Sequence, residues 1–469
     1  MQAFSKAGKV RTNRKGVEKI MEIVVLINER LGFITAMLLL LCGVLFTIKT
    51  KLFPLFKIKY IFKNTFGNMM NKQDRRKSGI SSFKSFAMSI AGTIGIGNIV
   101  GVTAAIAIGG PGAVFWIWVS AFFVMMIKYA EIFFSVKYRY SESGVVKSEN
   151  IGALSYISRV VKSKPVLKLY AFFGITVSLC MGNMVQANSF CESFNTVTGI
   201  SPFITGAVFT LLFFLLIKNS GNCTASVLSV LVPLMSAVYV IGGLIIICLN
   251  ISELPNCIYN IFRSAIAPAP AAGAFTGATI AGAFKNGTSN GLFSNEAGLG
   301  SSAFAHGLTR EKNPAKEGLW GIFEVFADSI LISTITAFII LTSNVWTENG
   351  SVLTAFTNNF GKTGTAFVTV SLFLFAVSSM LSWSYYGKLC ANYISKKIVN
   401  VYIVIFIICT FAGTVCNTTS IWLISEITNS LMLLINLYAV FRLRKEFICE
   451  INKVSKPSEK TAFFIKRHQ

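Results

Sequence analysis

Apolar residues in this chain come in long unbroken runs, Gly32 to Ile48 and Phe203 to Ile217 among them, with polar residues gathered between the runs. Each run approaches the ~20 residues that a helix needs to cross ~30 Å of hydrocarbon at ~1.5 Å per residue. The pattern predicts eleven spanning helices, at residues 32–50, 83–108, 112–136, 167–194, 201–218, 225–249, 261–284, 320–343, 364–389, 400–416 and 420–441. They fill almost the whole chain, so no separate soluble domain remains to be placed. The expected fold class is an all-α polytopic membrane protein.

Composition agrees, with 53% hydrophobic and 13% charged residues in a chain of 469. A soluble protein of that length would need a far more polar surface. The net charge of +24 suggests a nucleic-acid partner only until the basic residues are located. They crowd alternate connections: Lys49 to Lys77, Lys137 to Lys164, Lys285 to Lys316, Lys388 to Lys397, and the tail. The connections Gly109–Gly112, Asn195–Ser201 and Asn417–Ser420 carry no Lys or Arg. By the positive-inside rule the basic set is cytoplasmic, so the protein sits in the cell membrane with its N-terminus outside and its C-terminus inside. Lys6 to Lys19 disagree, and a translation start at Met21 would remove the conflict. The ten cysteines and two histidines form no zinc, redox or disulfide pattern. Neither a nucleic-acid partner nor an obligate protein partner is expected, only lipid and a small substrate.

Two spans are chemically unlike the others. The second contains Ser89-Ile-Ala-Gly-Thr-Ile-Gly-Ile-Gly-Asn98, where three glycines, Thr93 and Asn98 interrupt the apolar run. Glycine costs a helix interior ~1 kcal/mol relative to alanine, and backbone freed in hydrocarbon must find a partner. Close helix packing is the competing explanation for the glycines. The seventh span begins with Pro268 and Pro270 and carries Gly273, Phe275, Thr276, Gly277 and Thr279. Interrupted helices five steps apart point to a mid-membrane transport site at the interface of two inverted halves. On that register the segments are 1–31, an added helix at 32–50, a first repeat at 83–249, a second at 261–441, and a basic tail at 442–469.

Several blocks resemble the alanine or glycine:cation symporter family, the sodium:alanine symporters: Gly92 to Val102, Gly109 to Trp118, Lys128-Tyr-Ala-Glu131, Gly182 to Ser189, Gly291-Leu-Phe-Ser-Asn-Glu-Ala-Gly-Leu-Gly-Ser301 and Trp383-Ser-Tyr-Tyr-Gly387. The resemblance runs from about Met21 almost to the end of the chain. It implies a leucine-transporter type fold, a five-plus-five inverted repeat with discontinuous first and sixth core helices and one extra N-terminal helix. It also implies Na⁺ as the coupling ion, with H⁺ as the alternative, and alanine or glycine as substrate. Two departures are Lys388, where an acid is usual, and Ser382 in place of a glycine.

Substrate contacts in that fold come from the first, third, sixth and eighth core helices. Here those helices offer Thr93, Ile94, Gly95, Gly97, Asn98, Gln186, Phe275, Thr279, Ser379 and Trp383. The amides of Gly95 and Gly97, with Thr93, are expected to hold a carboxylate at a half-helix N-terminus. Phe275 and Trp383 are expected to wall the side-chain end. Ser378 and Ser379, with the carbonyls of Ala91 and Ile94, make an oxygen-only set suited to Na⁺. Among the membrane acids, Glu131 is expected to pair with Lys128; Glu324, Asp328 and Glu426 are the others. Asn295 to Gly298 is expected to be a gate or hinge in a cytoplasmic loop. An uncoupled channel or facilitator, or a carrier of glutamine or serine, is the rival function. No nucleophile–base pair supports an enzyme.

Overall fold

The computed structural model describes residues 2–68, 80–139, 151–217, 221–266, 280–348, 350–416 and 418–455. Its α-helices are α1 (Gln2–Lys49), α2 (Phe53–Phe56), α3 (Ile58–Asn64), α4 (Ser82–Thr93), α5 (Val102–Gly109), α6 (Gly112–Tyr138), α7 (Ala153–Val160), α8 (Lys164–Leu179), α9 (Val185–Thr198) and α10 (Pro202–Ile217). There follow α11 (Gly221–Leu249), α12 (Leu254–Ile266), α13 (Ile280–Ser294), α14 (Ser301–His306), α15 (Pro314–Val325), α16 (Ser333–Thr342), α17 (Val352–Ile394), α18 (Ile398–Val415), α19 (Thr418–Arg442) and α20 (Arg444–Ser455).

Among the described residues, eight helices are long and apolar enough to cross a membrane, and a ninth span is the bent pair Ser82–Thr93 and Gly97–Gly109. The sixteen-residue α10 is apolar but shorter. Length and composition therefore do not reproduce the count of eleven. The difference lies in α10 and in the expected span at 261–284, most of whose middle falls outside the described residues. The expected span at 364–389 belongs to a longer α17, bent at Gly361, whose φ of 57° no helix contains.

The fold is apolar outside and polar within. Val230, Leu211 and Ile408 are more than 60% exposed, as side chains that face lipid must be. Lys128, Glu131, Glu296, His306, Glu317 and Asp328 are buried completely. Ionisable groups inside a membrane protein collect in its interior because hydrocarbon offers them no partner. Close packing of α13 on α6 depends on small residues. A Cβ at Gly287 would lie 2.3 Å from the Ala113 carbonyl oxygen, and one at Gly291 would lie 2.6 Å from Ser120 Oγ. The two helices run in the same direction, with Gly287 beside Ala113, Gly291 beside Ser120 and Asn295 beside Lys128. The extra helix α1 is no satellite: the backbone at Gly43 approaches the Phe123 carbonyl so closely that a Cβ would meet it at 2.8 Å.

Candidate functional site

The first break follows from an exchange of hydrogen-bond partners. Helix α4 would continue if the amides of Gly95 and Ile96 bonded the carbonyls of Ala91 and Gly92. Instead Gly95 N–H donates to Asn98 Oδ1 (3.2 Å), and Ile96 N–H donates to Gln186 Oε1 (3.3 Å). Asn98 and Gln186 thus take the two amides and end the helix. The chain resumes as a π-helical turn, Gly97–Gly101, before α5, with a bend of 50°. The carbonyl end of α4 and the amide end of the following half-helix face one gap. A carbonyl terminus favours a cation and an amide terminus favours an anion.

A second break lies where sequence reading did not expect it. Helix α13 ends at Ser294, α14 starts at Ser301, and the six residues between are buried. Glu296, Gly298 and Gly300 there have φ of 53°, 89° and 78°. Asn295 to Gly300 is no cytoplasmic loop but an interruption inside the bundle, and every surrounding element holds it. Lys128 Nζ donates to the Asn295 carbonyl (2.7 Å), Tyr170 OH to the Leu299 carbonyl (2.7 Å) and Asn436 Nδ2 to the Gly298 carbonyl (2.8 Å). Gly300 N–H donates to Glu131 Oε1 (3.1 Å). Backbone freed in a membrane interior is tolerated only when it is satisfied in this way.

Helix α17 touches both breaks. Ser379 Oγ donates to the Gly92 carbonyl (3.3 Å), while Ser382 Oγ and Tyr386 OH donate to the Met88 carbonyl (2.8 and 3.0 Å). One turn from Ser379, Trp383 Nε1 donates to Glu296 Oε1 (3.0 Å). Ser378 differs from its neighbour, since its hydroxyl bonds the Phe375 carbonyl of its own helix (3.0 Å).

Beside the gap, Asp328 is buried in a π-helical stretch, Phe326–Ile332, between α15 and α16. Its carboxylate accepts from Asn98 Nδ2 (2.8 Å), Ser329 Oγ (2.8 Å) and Ser294 Oγ (3.4 Å). Among the described residues no cationic side chain lies within ion-pair distance of it. Farther along α6 and α15 lies a denser buried cluster. His306 Nδ1 meets Glu317 Oε1 (2.6 Å) and its Nε2 meets Glu324 Oε1 (2.7 Å). Lys128 Nζ stands 3.9 Å from Glu324. A neutral imidazole has one N–H, so this His–Glu–Glu triplet holds an additional proton, on the ring or on a carboxyl.

Above the gap is a cavity of about 520 Å³. Gly97, Gln186, Ser294, Asn28, Lys285, Trp422 and Glu426 are among the residues that line it. Ligand cavities commonly measure about 300–1,000 Å³.

This geometry has relatives. The profile of the sodium:alanine symporter family matches residues 17–463. The chain belongs to that family. The sodium/alanine symporter AgcS of Methanococcus maripaludis is 31% identical over 467 residues, covering 94% of this chain and 100% of that protein. A probable sodium/glutamine symporter of Bacillus subtilis, GlnT, is 29% identical, covering 87% of this chain and 85% of that one. Among solved structures, MhsT in complex with L-phenylalanine aligns with a TM-score of 0.54 at 12% identity, covering 78% of this chain and 90% of that one. The fold is that of the leucine-transporter type, and the protein is a multi-pass amino-acid:cation symporter rather than an enzyme.

In this symporter, Gly97 and Gln186 are the sequence-predicted site residues that line the cavity among the described residues. Thr93, Ile94, Gly95 and Asn98 form the break beneath it. Thr93 Oγ1 is turned back onto the Ile90 carbonyl (3.2 Å). Ala91, Ser378 and Ser379 are fully buried, and Ser379 reaches the Gly92 carbonyl of α4. Trp383 is 1% exposed, with the backbone at Gly182 packed so close that a Cβ would fall 2.3 Å from its side chain. Its indole N–H is bonded to Glu296 of the second break. Phe275 and Thr279 lie outside the described residues. One further expectation is corrected. Lys128 reaches Asn295 and Glu324, leaving Glu131 to Gly300 and Asn436. Lys285, grouped in the sequence with Arg310, Lys312 and Lys316, lines the cavity with the N-terminal part of the α1 span and the start of α19. Sequence reasoning passed over Asn429 and Ser294.

Proposed function

We propose that the protein takes up a small neutral amino acid, alanine or glycine, together with Na⁺ by alternating access. The observation that carries this reading is the gap beneath Gly97 and Gln186. There the amide end of one half-helix and the carbonyl end of another face the floor of a cavity. A zwitterion and a metal cation use those two ends in complementary ways. The substrate carboxylate would sit over the Gly97 turn, with Gln186 beside it. The cation would sit at the carbonyl end of α4, with Ser379 and the carbonyls of Ala91, Gly92 and Ile94 as oxygen donors. Asp328, joined to the same turn through Asn98, supplies the negative charge that makes cation entry favourable. Substrate and ion would thereby favour the same state, as coupling requires. The cavity faces the end of the bundle away from the basic loops, and the buried His306 cluster lies toward the other end. That arrangement supports an outward-facing form with the C-terminus in the cytoplasm.

Uptake of labelled alanine into proteoliposomes, with and without an inward Na⁺ gradient, tests the proposal. Accumulation above equilibrium is expected only with the gradient. Uptake that equilibrates but never accumulates under a Na⁺ or H⁺ gradient would leave a facilitator instead. Competition by glycine, serine and glutamine in the same assay fixes the substrate range.

A further inference from the structure

His306 ends α14, the short helix beyond the Asn295–Gly300 break, and its ring is held between two carboxyl groups of α15. Glu317 and Glu324 are seven residues apart, two helical turns, so both lie on one face of α15. All three residues are buried. Ser302, one turn before His306, donates to the second oxygen of Glu324 (2.8 Å), and Lys128 of α6 stands 3.9 Å from the same oxygen. Lys128 also donates to the Asn295 carbonyl, which joins this cluster to the break.

A neutral imidazole has one N–H, so one of the two contacts, at 2.6 and 2.7 Å, would set a lone pair against a carboxylate. No water screens such a repulsion at this depth. One further proton turns it into a second hydrogen bond. Imidazole, with an ordinary pKa of about 6.5 against about 4.3 for a glutamate, is the more basic holder. Two positive charges, the imidazolium and Lys128, then balance the two carboxylates. The ionisable groups around the triplet are committed to other partners. Arg139 and Tyr129 of α6 donate to the carbonyls of Gly307 and Ala315. At the break, Glu131 accepts from Gly300 and Asn436, and Glu296 from Ser301 and Trp383. Asp328 accepts from Asn98, and Tyr386 of α17 donates to the Met88 carbonyl. Lys84 of α4, Tyr156 of α7 and Glu446 of α20 meet Ser226, Asn436 and Lys137, while Lys59 and Lys63 of α3 are exposed.

We propose that a proton is a resident ligand of this transporter, held as the imidazolium of His306 between Glu317 and Glu324. It fastens α14 to α15 and so steadies the second break from its far side. The proton stays bound through the Na⁺-driven cycle. Its loss to water at alkaline pH unfastens α14 and stops uptake. The sign follows from linkage, since a proton bound by the working form favours that form at low pH and ceases to do so as pH rises.

Glu317→Gln removes the need for the proton, because a glutamine amide can donate to a ring nitrogen that carries none. The neutral ring then keeps both contacts. His306 and His468 are the two histidines of the chain, so His468→Gln leaves one ring to observe by ring-nitrogen NMR in lipid nanodiscs. At about pH 8, above the ordinary imidazole range, both nitrogens of His306 should be protonated, and Glu317→Gln should leave one of them bare. A bare nitrogen in the unsubstituted triplet, or the same spectrum in both proteins, would overturn the site. Alanine uptake under a fixed Na⁺ gradient, with equal pH inside and outside, reads the consequence. It should fall at least tenfold between about pH 7 and about pH 10, while Glu317→Gln holds its rate within about twofold. An unsubstituted protein that keeps its rate, or a variant that falls in parallel, would remove the proton from transport. Accumulation driven by an H⁺ gradient without Na⁺, and lost in Glu317→Gln, would make the proton cargo and end its residence. Glu324→Gln makes the same exchange on the other side of the ring and replaces Glu317→Gln if that variant does not fold. The ring spectrum needs no substrate, so it decides the site even if the amino-acid symport reading fails.

Discussion

Trp383 donates its indole N–H to the Glu296 carboxylate, tying the one acid within the Asn295–Gly300 break to the helix that also touches the Gly92 break. Ser301 Oγ donates to the other oxygen (2.7 Å). Both breaks are thereby referred to one rigid element, α17. Hydrogen bonds to charged groups contribute about 1.5–3 kcal/mol. Trp383→Phe keeps most of the ring and removes the donor. We expect the melting midpoint of the purified protein to fall and the maximal uptake rate to drop several-fold with little change in KM. A large rise in KM with an unchanged rate would return Trp383 to the pocket wall.

The glycines near the site separate into two kinds. Nothing lies within 4 Å of a Cβ placed on Gly97, whereas one on Gly182 would meet the Trp383 side chain at 2.3 Å. Gly97→Ala should fold normally and raise the KM for substrate, and Gly97→Leu should abolish uptake from a folded protein. Gly182→Ala should reduce the yield of folded protein instead, because an overpacked site forces backbone shifts costing about 1–3 kcal/mol. Size-exclusion profiles beside transport kinetics distinguish the two outcomes.

The two glycine classes also show what was legible in the sequence. The break at Gly95 could be read because its glycines, Thr93 and Asn98 interrupt an otherwise apolar run, and apolar runs are the strongest local signal a membrane chain carries. The break at Asn295–Gly300 could not be placed in the same way. Its acid and amide resemble a solvated loop until the partners are known, and those partners, Lys128, Tyr170 and Asn436, come from distant helices. The partner of Trp383 was illegible for a related reason: only the position of Glu296 shows that its N–H is committed to the second break. Pairing Glu131 with Lys128 used helical spacing, but each side chain is claimed by a different buried backbone group.

Asp328 and Asn98 should act as a unit. Asp328→Asn removes the charge and preserves the shape. If the carboxylate draws the cation in, half-saturation by Na⁺ should rise about tenfold or more, equivalent to ~1.4 kcal/mol, with alanine binding weakened only through the ion. Asn98→Ala should be worse for folding, because it strands both the Gly95 amide and a buried carboxylate oxygen. Na⁺ titration of uptake, with thermal unfolding of each variant, checks the pair. An unchanged Na⁺ dependence in Asp328→Asn would remove the carboxylate from the coupling scheme.

Ser378 and Ser379 are adjacent, yet the structure gives them opposite expectations. The Ser379 hydroxyl crosses to the carbonyl end of α4, where the backbone carbonyls lack their next-turn amides, and is the one placed to complete an oxygen set for Na⁺. The Ser378 hydroxyl bonds a carbonyl of its own helix. Ser379→Ala should therefore raise the Na⁺ concentration for half-maximal uptake several-fold, and Ser378→Ala should change it by less than about twofold, since a local back-bond of this kind contributes little to stability. The comparison uses one substitution at two neighbouring positions, so general damage to α17 would move both. Equal effects from the two would place the cation away from this crossing, and a larger effect at Ser378 would reverse the assignment.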